Sequence, residues 1–175
     1  MEATSELAKS MTTPKAEKNP IQKVLIICSK GTLEDVYAAL IMANGALMEG
    51  IEAEMFFTFF GLEAIKKDAQ DHLHTATVGN PALMRQMPTL LAGLPGFEAL
   101  VSTMMKKEME KLDIPPVSEF LEIISESGGK LHACRLAVDM FKLKREDFID
   151  QLDDIITVGE MYALAEGKNT HIIFI

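Results

Sequence analysis

Cysteine is scarce in this chain, basic residues are outnumbered and no long apolar run opens it; each shortage removes a class of protein. Two cysteines in 175 residues are too few for a disulfide-stapled secreted scaffold, though enough for thiol chemistry. Seventeen Lys and Arg against 26 Asp and Glu leave a formal charge of −9. That is the wrong sign for a surface that tracks phosphates, so nucleic acid is not an expected partner. Residues 1–20, MEATSELAKSMTTPKAEKNP, lack the apolar stretch a secretory signal needs. They read as a solvated flexible tail ahead of one domain over 21–175, in a chain expected in the cytoplasm, where thiols stay reduced. A single glycine, Gly31, follows the first apolar run, so neither a dinucleotide fingerprint nor a P-loop is present, and no G-x-S-x-G elbow exists. No cofactor is expected.

What is there suffices for a compact core, with 48% hydrophobic and 25% charged residues. Lys23–Cys28, KVLIIC, is an apolar run of the kind buried on both faces of a parallel sheet. Thr32 is placed to cap the following helix, whose apolar stripe includes Leu33, Val36, Tyr37, Leu40, Ile41, Asn44, Leu47 and Met48 before Gly50 stops it. Within that stripe Asn44 reads as a buried amide bonded to backbone. Glu54–Phe60 reads as the second strand, its four phenylalanines as core, and Leu62–Asp68 as a short helix.

After an interruption, alternation resumes at Pro115 and Pro116. A helix is predicted over Val117–Glu126, a strand over Lys130–Ala133, and helices over Arg135–Phe141 and Lys144–Leu152. A strand at Asp154–Val158, a helix at Glu160–Ala165 and a last strand at His171–Ile175 follow. Five strands alternating with helices give a three-layer α/β domain with a mainly parallel sheet, for which a flavodoxin-like order is expected.

The interruption, about residues 70–112, is rich in Met, Pro and Gly, and its tail, Glu98–Leu112, reads as helical. Arg85, Glu98 and the prolines exclude a membrane span. So much soft apolar surface suits a subunit interface or a lid better than extra core or contact with a membrane surface.

Chemistry concentrates on the cysteines. Both end strands, and ligand sites of parallel α/β sheets gather at the carboxyl edge of the strands. Cys134 is the stronger candidate, because a helix starting at Arg135 would set its sulfur against unpaired backbone N–H groups. Arg135 adds positive charge there, conditions that favour a thiolate. Cys28 is a second, weaker thiol. His132 shares the strand face of Cys134 and is a minor candidate for tuning it. The pairs His72/His74 and His132/Cys134 lack the usual zinc-site spacings, so no metal site is expected.

The stretches IMANGALMEG (41–50), FFTFFGL (56–62), VGNP (78–81), MPTLLAGLPGFEALVSTMMKK (87–107) and ACRLAVDMF (133–141) resemble the DsrE/DsrF-like sulfur-transfer proteins, in the branch with a Met/Pro-rich insertion. The resemblance covers about residues 22–175 and implies a small parallel α/β fold and homo-oligomers, often trimers or their multiples. It also implies a persulfide-bearing cysteine, which falls on Cys134, and exchange with small TusA-type sulfur carriers. The family pattern C-[QE]-M-[ST]-M-x-[ML]-[MF]-G is altered here: Arg135 replaces an amide or acid, Ala137 removes a hydroxyl and Lys142 replaces a glycine. The expected function is a sulfur carrier or sulfurtransferase holding sulfane sulfur on Cys134. A dithiol redox protein using Cys28 and Cys134, and a non-catalytic oligomeric binding module, are the alternatives.

Overall fold

The computed structural model describes residues 20–76 and 97–175, so residues 1–19 of the expected tail and residues 77–96 of the insertion expected at about 70–112 lie outside the described residues. Five strands form one parallel sheet: β1 (Lys23–Cys28), β2 (Glu52–Phe57), β3 (Lys130–Cys134), β4 (Asp154–Ile156) and β5 (Thr170–Phe174). The helices are α1 (Leu33–Met48), α2 (Phe97–Lys111), α3 (Val117–Glu126), α4 (Arg135–Met140) and α5 (Val158–Leu164). The α/β class and the parallel five-stranded sheet agree with the sequence reading.

The strand order corrects it. A flavodoxin-like sheet runs 2-1-3-4-5, whereas this one runs β4-β3-β2-β1-β5. The chain steps in one direction from β1 to β4, then returns across the sheet to pair β5 with the free side of β1. Right-handed crossovers put α1 and α3 on one face and the returning helix α5 on the other. Strand order is a long-range choice that no local run encodes.

The first face holds the main core. Val24, Ile26 and Cys28 of β1, Ala53, Met55 and Phe57 of β2, and Leu131 and Ala133 of β3 are buried beneath α1 and α3. Helix α3 keeps its predicted bounds because Pro116 starts it and Gly128, at φ +90°, ends it. It buries Val117, Phe120, Leu121 and Ile124, and the Phe120 ring lies 6.3 Å from that of Tyr37 on α1. Thr32 stands at the start of α1 in extended backbone but does not cap it with its side chain; its hydroxyl donates to Asp35 Oδ2 at 2.6 Å. Asn44 is half-buried and donates to Met48 Sδ at 3.6 Å instead of to backbone.

Two further expectations fail for tertiary reasons. The second strand begins earlier, at Glu52, and ends at Phe57, because Phe59 takes a left-handed φ of +46° and opens a 3₁₀ turn, Phe59–Ile65. Phe56 and Phe57 are core, but Phe59 and Phe60 are exposed. Residues 144–152 form only a 3₁₀ turn at Arg145–Asp147. Arg145 replaces helical hydrogen bonds by donating to the carbonyls of Ile149 and Leu152, at 2.9 and 2.7 Å, while Phe148 pairs with Lys66 and buries its ring.

Helix α4 ends in a Schellman-type turn, with Leu143 N–H donating to Val138 O at 3.0 Å and Lys142 at φ +58°. This is the position where the family pattern has glycine, and a lysine there carries the steric penalty of left-handed backbone. Lys142→Gly is expected to raise unfolding stability by about 1 kcal/mol, read as a higher urea midpoint. An unchanged or lower midpoint would contradict that reading.

Candidate functional site

Both cysteines stand at the carboxyl edge of the sheet, but in different environments. Cys28 ends β1 on the α1/α3 face and is fully buried. Its thiol donates to Lys30 O at 3.6 Å, and burial, followed by the nearby Asp35 carboxylate, pushes it up to about 12. The 3₁₀ turn seals it: Thr58 N–H donates to Cys28 O at 3.0 Å, and Gly61 packs so closely that a Cβ there would strike the same carbonyl. Gly31 makes a similar close approach to Phe60 O, so two glycines lock the β1–α1 loop against the turn after β2.

Cys134 is the last residue of β3 and the N-cap of α4, with no connecting loop between strand and helix. Its side chain makes no capping hydrogen bond. It exposes 4% of its surface, so its sulfur is largely covered in one copy of the chain. Alternation along β3 sets Cys134 on the face of His132, opposite the face that holds Cys28.

That geometry bears on the dithiol alternative. Cys28 is level with Phe57, and Phe57 with Ala133, so β2 runs between the two cysteine-bearing strands. Two strand spacings amount to roughly 9–10 Å, beyond the ~7 Å Cα limit for a disulfide, and the side chains leave opposite faces. A Cys28–Cys134 bond cannot form in this fold without dismantling the sheet.

Arg135 is exposed and donates from its guanidinium to Ile155 O at 2.5 Å, fastening the end of β4 beside Cys134. Thr157 then caps α5: its hydroxyl accepts from Glu160 N–H at 3.2 Å, and Thr157 N–H donates to the Glu160 carboxylate at 2.7 Å. Those Thr157 hydrogen bonds, with the more distant charge of Arg135, hold Glu160 below its usual range.

His132 belongs to a group the sequence reading missed. On the α5 face Lys23 and His132 are 6% and 5% exposed and flank Glu54, whose side chain is 13% exposed. Lys23 Nζ pairs with Glu54 Oε1 and donates to Leu164 O at 2.7 Å, while His132 Nε2 lies 3.1 Å from Glu54 Oε2. The available signal was a pair of charged residues, Lys23 and Glu54, within strands otherwise read as buried on both faces; such charges require partners. Burial works to raise Glu54, but hydrogen bonds from His132 and Lys23 and the positive charge of Lys23 win and hold it below 4.5. A carboxylate depressed by folding contributes stability that is present above its unfolded value and is lost as pH falls through the folded one. Urea midpoints should therefore fall as pH drops below about 4.5, with a shallower fall in Lys23→Met/Glu54→Leu. Parallel curves for the two proteins would remove Glu54 from the acid response.

Among the described residues no three His, Cys, Asp or Glu side chains gather in a way that could hold a metal ion, and no helix is long and apolar enough to cross a membrane. A cavity of about 150 Å³ opens between α1 and α2, with Leu33, Tyr37, Met109, Ile114 and Val117 in its wall. Neither cysteine lines it.

The family model described as DsrE/DsrF/DrsH-like matches residues 20–173. A relative named sulfur carrier protein DsrE2, from Allochromatium vinosum, is 33% identical over 138 residues, covering 75% of this chain and 86% of its own length. YrkE of Bacillus subtilis is 24% identical over 135 residues, covering 75% and 84%. Among solved structures, MTH1491 of Methanobacterium thermoautotrophicum superposes with a TM-score of 0.55 at 8% identity, covering 87% of this chain and 98% of that one. The ychN protein of E. coli gives 0.53 at 12%, covering 89% and 100%. At such identities the two structures speak for the fold, while the family match spans nearly the whole described sheet. The chain belongs to the DsrE/DsrF/DrsH-like family.

Proposed function

We propose that this protein is a sulfur carrier that takes a sulfane sulfur onto Cys134 as a persulfide and passes it to a partner thiol. The observation that carries the reading is the position of Cys134, at the carboxyl edge of the sheet where β3 passes directly into α4, with its sulfur committed to no capping bond. The name of the Allochromatium relative supports the same role. The raised thiol of Cys28 and its seal by the turn after β2 argue against it as the carrier, and the intervening strand argues against it as a resolving partner.

In the transfer, the Cys134 thiolate attacks the outer sulfur of a donor persulfide, and the donor thiolate leaves. Arg135 holds β4 in place beside the reacting sulfur and brings a positive charge to the same edge. Since Cys134 is largely covered, a donor gains access by displacing its neighbours, and uptake is slower than at an open thiol. A small TusA-type protein is the proposed exchange partner, in the reducing cytoplasm.

Self-association, as a trimer or a multiple of it, belongs to the same proposal. The α5 face carries exposed Val158, Tyr162, Ile172 and Phe174, an apolar strip that one short helix leaves uncovered. The carrier reading is tested by incubating the whole protein with glutathione persulfide, removing the donor and releasing sulfane sulfur with cyanide. Close to one sulfur per chain is expected. None above the level of an unrelated thiol protein would overturn the reading and leave the oligomeric binding module in its place.

A further inference from the structure

The group beneath α5 spans three neighbouring strands, with Lys23 on β1, Glu54 on β2 and His132 on β3. One atom in it is left over. His132 Nδ1 is buried and has no hydrogen-bond partner among the described residues, although Nε2 of the same ring faces Glu54 Oε2 at 3.1 Å. Leaving a buried polar atom unpaired is costly, so such an atom calls for a partner. The surrounding Lys–Glu pair fixes the ring so that this cost persists.

The direction of that atom follows from the ring and the register. The two nitrogens of an imidazole point nearly opposite ways. Glu54 pairs with Lys130, two residues before His132, so it lies toward the amino end of the sheet and on the β2 side. With Nε2 held toward Glu54, Nδ1 stands on the side of the ring away from Glu54. Cys134 is the next β3 residue on that face, roughly 6–7 Å further along the strand.

We propose that Lys23, Glu54 and His132 form a positioning relay for Cys134: Glu54 holds His132 as the Nε2–H tautomer, so that the Nδ1 lone pair is offered as proton acceptor to the Cys134 thiol. Lys23 keeps Glu54 ionised and in place. The proposal rests on the sulfur-carrier reading for its substrate. Rotation about the Cα–Cβ bond of Cys134 is the movement that brings sulfur and ring together.

The step balances without an external oxidant. With a donor R–S–SH, the Cys134 proton passes to Nδ1, and the freed electron pair on Sγ forms a bond to the outer sulfur. The donor S–S bond breaks and R–S⁻ leaves with its electron pair. The imidazolium, its charge balanced by Glu54, returns the proton to R–S⁻. The products are the Cys134 persulfide and R–SH.

Three variants made in a Cys28→Ala background test the relay: His132→Gln, Lys23→Met/Glu54→Leu, and all three changes together. The paired replacement removes both buried charges at once and so avoids stranding either. Nitrogen-15 spectra of ring-labelled histidine should show His132 in the background protein protonated on Nε2 and bare on Nδ1, and the paired replacement should lose that signature. Iodoacetamide should alkylate Cys134 about tenfold more slowly at pH 7 in each variant, with no further loss on combining them. Alkylation of folded His132→Gln within twofold of the background protein, or a His132 proton found on Nδ1, would overturn the relay. Should the paired replacement fail to fold, His132→Gln and the spectrum of the background protein still decide. If that protein takes up no sulfur yet these measurements hold, the carrier reading fails and the proton relay stands; if it loads but the variants alkylate as it does, the relay alone fails.

Discussion

Cys134→Ala should reduce persulfide loading from near one sulfur per chain to less than a tenth, while Cys28→Ala keeps most of it. The difference follows from two environments on one sheet edge. Only a thiolate attacks sulfur, and a thiol raised to about 12, as Cys28 is, holds a trace of thiolate at neutral pH. Cys28 is also enclosed by the turn after β2, whereas Cys134 lies at a strand–helix junction with its sulfur in no capping bond. Intact-mass spectra of the parent and the two variants, taken after equal exposure to donor, read the result. Equal labelling of all three, or loss in Cys28→Ala alone, would remove Cys134 from the chemistry.

Gly61→Ala should cost about 2–4 kcal/mol of stability, because the contact its Cβ would make is the shortest among the described glycines. The new Cβ would collide with the backbone carbonyl of Cys28 and meet its sulfur at 3.4 Å. Neither can move without disturbing the hydrogen bond from Thr58 N–H to that carbonyl. Relief requires the 3₁₀ turn to swing away, which would also unseal Cys28 and shift Phe60 from its contact with Phe141, whose ring centre lies 6.0 Å away. Faster native-state alkylation of Cys28 should therefore accompany the lower urea midpoint. Gly45→Ala is the control: nothing lies within 4 Å of its added methyl, and in the last turn of α1 the change should be neutral or stabilising by up to about 1 kcal/mol. A Gly61→Ala protein as stable as Gly45→Ala would show that the packing of the two loops has been misread.

Legibility in the sequence followed the locality of the forces. KVLIIC, the helix between Pro116 and Gly128, and the strand-to-helix junction at Cys134 are decided within a few residues, and the structure has them where the sequence places them. EMFFTFF misleads because β-propensity continues past Thr58 while the backbone turns at Phe59 to seal β1. The apolar spacing of Phe148, Ile149 and Leu152 imitates a helix, but each is held in the core by tertiary contacts and Arg145 takes up the carbonyls. Glu54 and His132 are 78 positions apart, and only the parallel pairing of β2 with β3 makes them neighbours. The strand order is non-local in the same way. Covering of the Cys134 sulfur is likewise invisible to pattern, because burial at a sheet edge depends on how the next strand and helix fold over it.

Peptide-level mass spectrometry of the loaded wild-type protein, before and after addition of an acceptor thiol, is the most direct measurement. The peptide containing Cys134 should carry one extra sulfur after loading and lose it to the acceptor, while the Cys28 peptide stays unmodified throughout. An extra sulfur on the Cys28 peptide, or on neither, would contradict the assignment of Cys134 as the carrier.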